Sequence, residues 1–353
     1  MYSSKEFKYM EVANFIRRNI ENDVYKVGEY IDGQREISKL LNVNRVSIKS
    51  AIELLEREGL IECIPSVGSI VKKKPNNKTL VGYIVRSLKD PFHLEMIREM
   101  DKYLMERNAG LIVVEGTSSN RLLEMGATKI IKAGQLENTL EEDTVKTIYI
   151  GSEGIPRDTV SIDNKRGMQL IYEYLSKLGH RNIVFISTAI ESLVKNFDQR
   201  LNHLIDAATT DEEKKYIKKN SYFLQSYSEH EFNNVVEKII RLNPIPTALV
   251  CSSDWIAIEI MQAVLSKGLR VPQEISITGF DNIYMSGFLN IPLTTINFPF
   301  LKVAKEIIDL LFSNDTEVKN IVCQPSLVIR NSTCEAKIDK EFIKRTTIKP
   351  RRV

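Results

Sequence analysis

Apolar side chains recur at helical spacing along the first sixty residues. Tyr9, Val12, Ala13, Ile16 and Ile20 predict an amphipathic first helix. After a turn at Val27-Gly28, Ile37, Leu40 and Leu41 predict a short second helix opening near Gln34. Val43-Asn44 breaks it, and Asn44 is a good N-cap for a third helix that buries Ile48, Ala51, Ile52 and Leu55 and ends at Gly59. Arg45 and Lys49, one turn apart, then share an outward face. Short apolar stretches at Leu60–Ile64 and Ser69–Val71, separated by Pro65-Ser66-Val67-Gly68, predict a β-hairpin with a glycine near its tip. Three helices and a hairpin make a winged helix-turn-helix over residues 1–71. Its third helix fits the DNA major groove, where an arginine can donate bidentately to guanine.

The pattern changes after residue 79. Short apolar runs at Leu80–Val85, Leu111–Val114, Thr147–Ile150, Asn182–Ser187, Thr247–Cys251 and Glu274–Thr278 suit buried parallel strands. Amphipathic stretches at 91–108, 167–178, 229–241 and 255–267 fall between them. Repeated β-α-β at this spacing predicts an α/β domain of doubly wound parallel sheets, long enough for two lobes, over residues 80–333. Ligands of such sheets sit beyond the carboxyl ends of the strands. Polar residues collect there: Asp90-Pro91-Phe92-His93, Asp163-Asn164, Asp198–Arg200, Ser253-Asp254-Trp255 and Gly279-Phe280-Asp281-Asn282. Carboxylates that accept hydroxyl hydrogens, an arginine that donates, and aromatics that pack on apolar ring faces suit a polyhydroxylated ligand. Between the two units, residues 72–79 are polar and proline-broken and predict a linker. Residues 334–353 form a basic tail.

Charge sharpens this division. The net charge of +3 over 353 residues is an average of +2 for residues 1–74, −3 for 75–330 and +4 for 331–353. The head is only weakly basic, so one head alone is expected to hold DNA weakly, and useful affinity is expected to need two. Four cysteines without CxxC spacing and four histidines without an HExxH pair predict free thiols and no metal site. Phosphate-binding loops, nucleophile elbows and dinucleotide fingerprints are absent from the sequence, so no cofactor and no enzymatic activity are expected. No apolar run approaches a membrane span, and MYSSKEFKYMEVANF is too polar for a signal peptide, which predicts a cytoplasmic protein.

The head resembles the GntR-type winged helix. The matching residues are Tyr9, Val12-Ala13, Ile20, Gly28, Gln34-Arg35-Glu36-Ile37, Val43–Ala51, Leu55, Gly59-Leu60-Ile61 and Gly68-Ser69-Ile70-Val71. The resemblance implies DNA contacts from Arg35, Asn44, Arg45, Ser47, Lys49 and Gly68. Asp32-Gly33 replaces the family's Pro-Ser, Asn44 replaces its recognition serine, and Ser66 or Val67 stands where a basic wing residue is usual.

The body resembles the effector domain of LacI/GalR-type repressors, which shares the fold of periplasmic sugar-binding proteins. The matching stretches include Val81–Val85 with Asp90-Pro91-Phe92, Val160–Asn164 with Gly167, Leu178–Ile183, Gly268–Asp281, Leu293–Ile296 and Pro325–Thr333. This implies that Phe92, His93, Asp163, Arg200, Ser253, Asp254 and Asp281 line the effector cleft. Trp255 either stacks on a sugar or packs in the core. Asp254 is alternatively the N-cap of the helix that follows it, Asp281 a turn residue, and Arg200 a partner of a surface carboxylate. His180 is expected to end a helix structurally. The interval between Val114 and Thr128 is too short for the family's full crossover helix, and His203 stands where glycine is common.

Together these readings predict a homodimeric transcriptional repressor that binds double-stranded operator DNA and responds to a monosaccharide. Two-part chains of this kind resemble arabinose repressors, so an arabinose-like sugar is the candidate effector. A purine, nucleoside or amine effector is the alternative, and an enzyme with an appended DNA-binding head is a third reading.

Overall fold

In a computed structural model the described residues are 4–73, 79–116, 119–133, 144–151, 155–188 and 195–336. Most of the linker, the basic tail beyond residue 336 and Asp198's side chain therefore lie outside them. The chain divides into two compact units, Met1–Lys78 and Thr79–Val353.

The first unit holds α1 (Ser4–Glu21), α2 (Gln34–Leu41), α3 (Arg45–Arg57), β1 (Ile61–Ile64) and β2 (Gly68–Val71). Most of the apolar residues read from the sequence converge on one core, in which Val12, Ile16, Ile20, Ile37, Ile48 and Leu55 are fully buried, but Leu40, expected in the stripe of α2, is exposed. Asn44 caps α3 by accepting the Ser47 N–H at Oδ1, 2.8 Å away. The antiparallel pair β1–β2 gains a third segment that the sequence showed only as a turn. Ile31 N–H donates to Ser69 O, Gly28 N–H donates to Val71 O, and Tyr30 bridges Ile70. The segment is too short and too polar to carry a strand pattern of its own.

The second unit contains two six-stranded sheets. The first has the order β13-β7-β6-β5-β3-β4 and is wholly parallel. Its strands are β3 (Thr79–Val85), β4 (Ala109–Glu115), β5 (Lys129–Ala133), β6 (Lys146–Ile150), β7 (Thr159–Ile162) and β13 (Asn320–Cys323). The second has the order β14-β12-β11-β10-β8-β9, parallel except for the β12–β14 edge. Its strands are β8 (Ile183–Thr188), β9 (Tyr222–Leu224), β10 (Ala248–Cys251), β11 (Ser276–Asp281), β12 (Thr294–Asn297) and β14 (Ser326–Val328). The chain crosses between the sheets three times: through α6 (Asn164–Lys177), through α11 (Phe300–Phe312), and directly from β13 to β14. A core running from Val81 and Ile148 to Phe185, Phe280 and Ile296 spans both lobes.

The remaining helices are α4 (Pro91–Glu106), α5 (Asn120–Glu124), α7 (Lys195–Ala207), α8 (Asp211–Lys219), α9 (Glu229–Ile239) and α10 (Asp254–Ser266). The shortened crossover after β4 is filled by the single turn and a half of α5. There fully buried Leu122 sits against Gly82, where a Cβ would come within 2.4 Å of Leu122 Cδ1. A full-length helix is replaced by one leucine seated in a glycine gap.

Candidate effector site and DNA-reading surface

Each predicted effector residue lies at or just beyond the carboxyl end of a strand, or on the helix that follows. Asp90 follows β3 and caps α4 by accepting Phe92 N–H at 2.9 Å. Burial pushes its carboxyl up to about 6, against the opposing pull of the Phe92 N–H and the Arg86 charge. Asp163 follows β7 and caps α6 by accepting Arg166 N–H at 2.8 Å. Asp163 N–H in turn donates to Cys323 O, tying two of the crossings together.

Arg200, on α7, is the most constrained of the set. It is 8% exposed, and its Nε donates to Asn164 Oδ1 at 2.8 Å. Its Nη1 donates to Ser252 O, and its guanidinium lies 3.7 Å from the centre of the Phe280 ring. This is a buried cation held by side-chain and backbone acceptors and an aromatic face. The sequence makes room for it at Gly167, where a Cβ would meet Phe280 Cε2 at 2.8 Å.

Asp281 ends β11 and is 6% exposed, with φ +115°. That backbone conformation is costly for a residue with a Cβ, by about 1–3 kcal/mol, and strain of this kind concentrates at ligand sites. The next residue, Asn282 (φ +56°), is clamped by Arg330 Nη2 at 2.7 Å and by Asn297 Oδ1 at 2.9 Å. Arg330 also donates to Leu293 O at 2.7 Å, which fixes the whole connection from β11 to β12.

Two of the predicted residues are buried among internal partners. Asp254 is 0% exposed. Its Oδ2 accepts Ile283 N–H at 2.9 Å and its Oδ1 accepts the Thr295 hydroxyl. Burial pushes its carboxyl up to about 7, opposed by Thr295, Ile283, Ser286 and Arg330. The N-cap of α10 is instead half-buried Ser253, which accepts Ile256 N–H at 3.3 Å. Asp254 therefore positions the segment after β11. His93 is 7% exposed, with Nδ1 at 2.8 Å from the hydroxyl of fully buried Tyr83. Burial and the Arg86 charge hold it down at about 4, so it is a neutral internal residue. Its neighbour Phe92 packs edge-on against Phe298, 4.9 Å between ring centres, and also meets Phe300. These rings join α4 to the second crossing.

Trp255 is half-buried and stacks face to face on Tyr227, 4.8 Å between centres and 9° between planes. Tyr227 follows β9, so both rings stand at the carboxyl edge of the second sheet. The sequence gives little signal for Tyr227, one aromatic in the polar stretch Gln225–Ser228. His180 sits at the end of α6 as expected, its ring nitrogens 2.9 Å from Thr247 Oγ1 and Cys334 O. Two open depressions on the surface, around Arg181 and Tyr216 and around Pro272 and Asn290, contain none of the predicted effector residues. Among the described residues no group of histidine, cysteine and carboxylate side chains is placed to hold a metal ion, and no helix is long and apolar enough to cross a membrane.

On the first unit, Arg35, Asn44, Arg45 and Lys49 are exposed. Ser47 is 6% exposed and lies on the core side of α3, where its N–H donates to Asn44 Oδ1. Gly68 is exposed with φ +149°, a value that favours glycine, and a Cβ there would meet the Tyr30 ring at 3.4 Å. The Asp32 that replaces the family proline accepts a 2.6 Å hydrogen bond from Tyr25 Oη, and burial together with this bond raises the phenol to about 12.

Two structural modules thus share the chain: a winged helix-turn-helix and a two-sheet α/β domain. Residues 8–71 match the bacterial regulatory proteins of the gntR family, and residues 172–333 match the periplasmic binding protein-like domain. The chain is similar along its length to the arabinose metabolism transcriptional repressor of Halalkalibacterium halodurans. This chain is 24% identical to it over 96% of its own length and the whole of that protein. The body is also similar to the HTH-type transcriptional repressor PurR of Aliivibrio fischeri, 29% identical over 73% of this chain and 82% of that one. In fold it matches a LacI family transcriptional regulator from Enterococcus faecium solved with bound ribose. That match has a TM-score of 0.64 and 22% identity, and it covers 73% of this chain and all of that structure.

Proposed function

We propose that this chain is a cytoplasmic transcriptional repressor of sugar-utilisation genes, without enzymatic activity, whose operator affinity is set by a monosaccharide bound between the two lobes. The observation that carries the reading is Arg200. A buried guanidinium is fixed by Asn164, Ser252 and Phe280, whose chain neighbours are Asp163, Ser253 and Asp281, and this set supplies donors and acceptors for several hydroxyls of one small ring. An arabinose-like pentose is the first candidate, because the relative that aligns along its whole length is named for arabinose metabolism.

Three crossings between the lobes make a hinge, and closure on a ligand is a familiar motion of such folds. For effector to release DNA, it must bind the DNA-incompetent state better than the competent one. The repressor acts as a homodimer, since a single recognition helix reads only a half-site. The surface proposed for the second copy is the short 3-10 segment Tyr284–Gly287 with Phe288. Tyr284, Met285 and Phe288 are exposed there. Tyr284 N–H donates to Glu95 Oε1 at 3.0 Å, which sets this segment beside the turn of α4 that carries exposed Leu94.

A thermal-shift screen of monosaccharides and purine bases, followed by gel shifts with duplexes selected from a random library, tests the proposal. The expected result is stabilisation by a pentose and a change in DNA retention by the same pentose. Stabilisation by a purine alone overturns the sugar assignment, and turnover of any hit overturns the non-enzymatic reading.

A further inference from the structure

The exposed arc of α3 holds one residue that charge alone would not select. Successive helical residues are about 100° apart, so Arg45, Lys49, Glu53 and Val46 fall within about 100° of one another. They lie opposite the buried arc of Ser47, Ile48, Ala51, Ile52 and Leu55. Lys49 and Glu53 pair at 3.8 Å, a loose contact between two exposed side chains. Val46 is 72% exposed, as exposed as any large apolar residue among those described. It stands in the first turn, beside Arg45 and one turn before Lys49. It is absent from the core of the first unit.

We infer that Val46 reads the 5-methyl group of a thymine in the major groove, next to the base pair contacted by Arg45. The inference rests on the DNA-binding reading of the first unit. The first turn of a recognition helix comes closest to base edges. In the major groove, thymine's methyl group is the one apolar feature by which the four base pairs differ. A branched apolar side chain has no donor or acceptor to offer a phosphate or a base edge, and burying it against a methyl removes both from water. Arg45 then supplies preference for guanine and Val46 preference for thymine, so the two adjacent residues specify two base pairs of different chemistry.

The experiment uses the full chain and a duplex consensus selected from a random library, with each thymine replaced in turn by uracil, which deletes only the methyl. One buried methyl corresponds to about a fourfold change in affinity, and about fifteenfold when both half-sites of a dimer site are changed. The expected result is one thymine per half-site at which uracil weakens wild type by this factor. The Val46→Ala variant binds the same duplexes with that difference abolished, its exposed position leaving the fold intact. A clear consensus with no uracil-sensitive thymine beside the guanine lost in Arg45→Ala overturns the Val46 assignment, as does a sensitivity that survives in Val46→Ala. Failure to select any consensus overturns the DNA-binding reading itself, and the assignment with it.

Discussion

Asp254 gives the sharpest test of how the site is built. Asp254→Asn keeps the shape of the side chain. Its oxygen can accept Ile283 N–H, and its amide can face Thr295, whose hydroxyl turns to accept. Asp254→Ala instead strands Ile283 N–H and the Thr295 hydroxyl in a buried site, at a cost of about 3–5 kcal/mol. The pH dependence separates the two variants further. The carboxyl titrates near 3.8 when unfolded and is pushed up to about 7 when folded. Between these values the folded state holds a proton that the unfolded state has released, so stability falls as pH rises through the window and levels off above it. At about 1.36 kcal/mol per pH unit, the advantage of Asp254→Asn over wild type should grow by roughly 2–3 kcal/mol between about pH 5 and about pH 7. Trp255, the chain's only tryptophan, lies in the second unit, so urea denaturation followed by its fluorescence reports this unit. Parallel stability curves for wild type and Asp254→Asn across that range would refute the burial of a titrating carboxyl at this position.

Other perturbations reach the two surfaces separately. Arg45→Ala should lower affinity for the selected duplex by about 1–3 kcal/mol per half-site and leave sugar-induced thermal stabilisation unchanged; retained sequence preference in gel shifts would remove Arg45 from base contact. Asp281→Ala should leave DNA binding intact and make it insensitive to effector, and an unchanged effector dissociation constant would take Asp281 out of the site. Gly167→Ala drives a Cβ to 2.8 Å from the Phe280 ring that supports Arg200. It should cost about 1–3 kcal/mol of stability and weaken effector binding as well; calorimetry showing both unchanged would contradict the packing described.

Apolar spacing carried much of the architecture because both units are built from locally readable elements. The stripes of α1 and α3 and the runs of β3, β6, β8, β10 and β11 are buried where their patterns implied, whereas α2 buries Ile37 and leaves Leu40 exposed. The strand β5, Lys129–Ala133, is short and has lysines on either side of Ile130-Ile131, so its strong apolar signal is confined to those two residues. Individual roles at the site were harder to read, because they depend on partners distant in sequence. Asp254 looks like a cap or a ligand until Ile283 and Thr295, 29 and 41 residues downstream, are folded onto it. The hydrogen bond between His93 and the Tyr83 hydroxyl is likewise visible only in the fold. Ser47 matches the family's contact position, yet the helix phase set by Ile48 and Ala51 turns it inward. Arg200 was legible as a candidate because an arginine in that setting matched a known pattern. Its cage of Asn164, Ser252 and Phe280 comes from three separate elements and is visible only in three dimensions.

The central claim is that one small ligand and one DNA site are linked through this chain. Anisotropy of a labelled selected duplex, titrated with full-length protein at fixed salt with and without the stabilising sugar, tests it most directly. The account predicts that saturating sugar changes duplex affinity by about 5–150-fold, and that saturating duplex changes sugar affinity by the same factor in return. Sugar that binds the protein tightly while the duplex isotherm stays unmoved would contradict it.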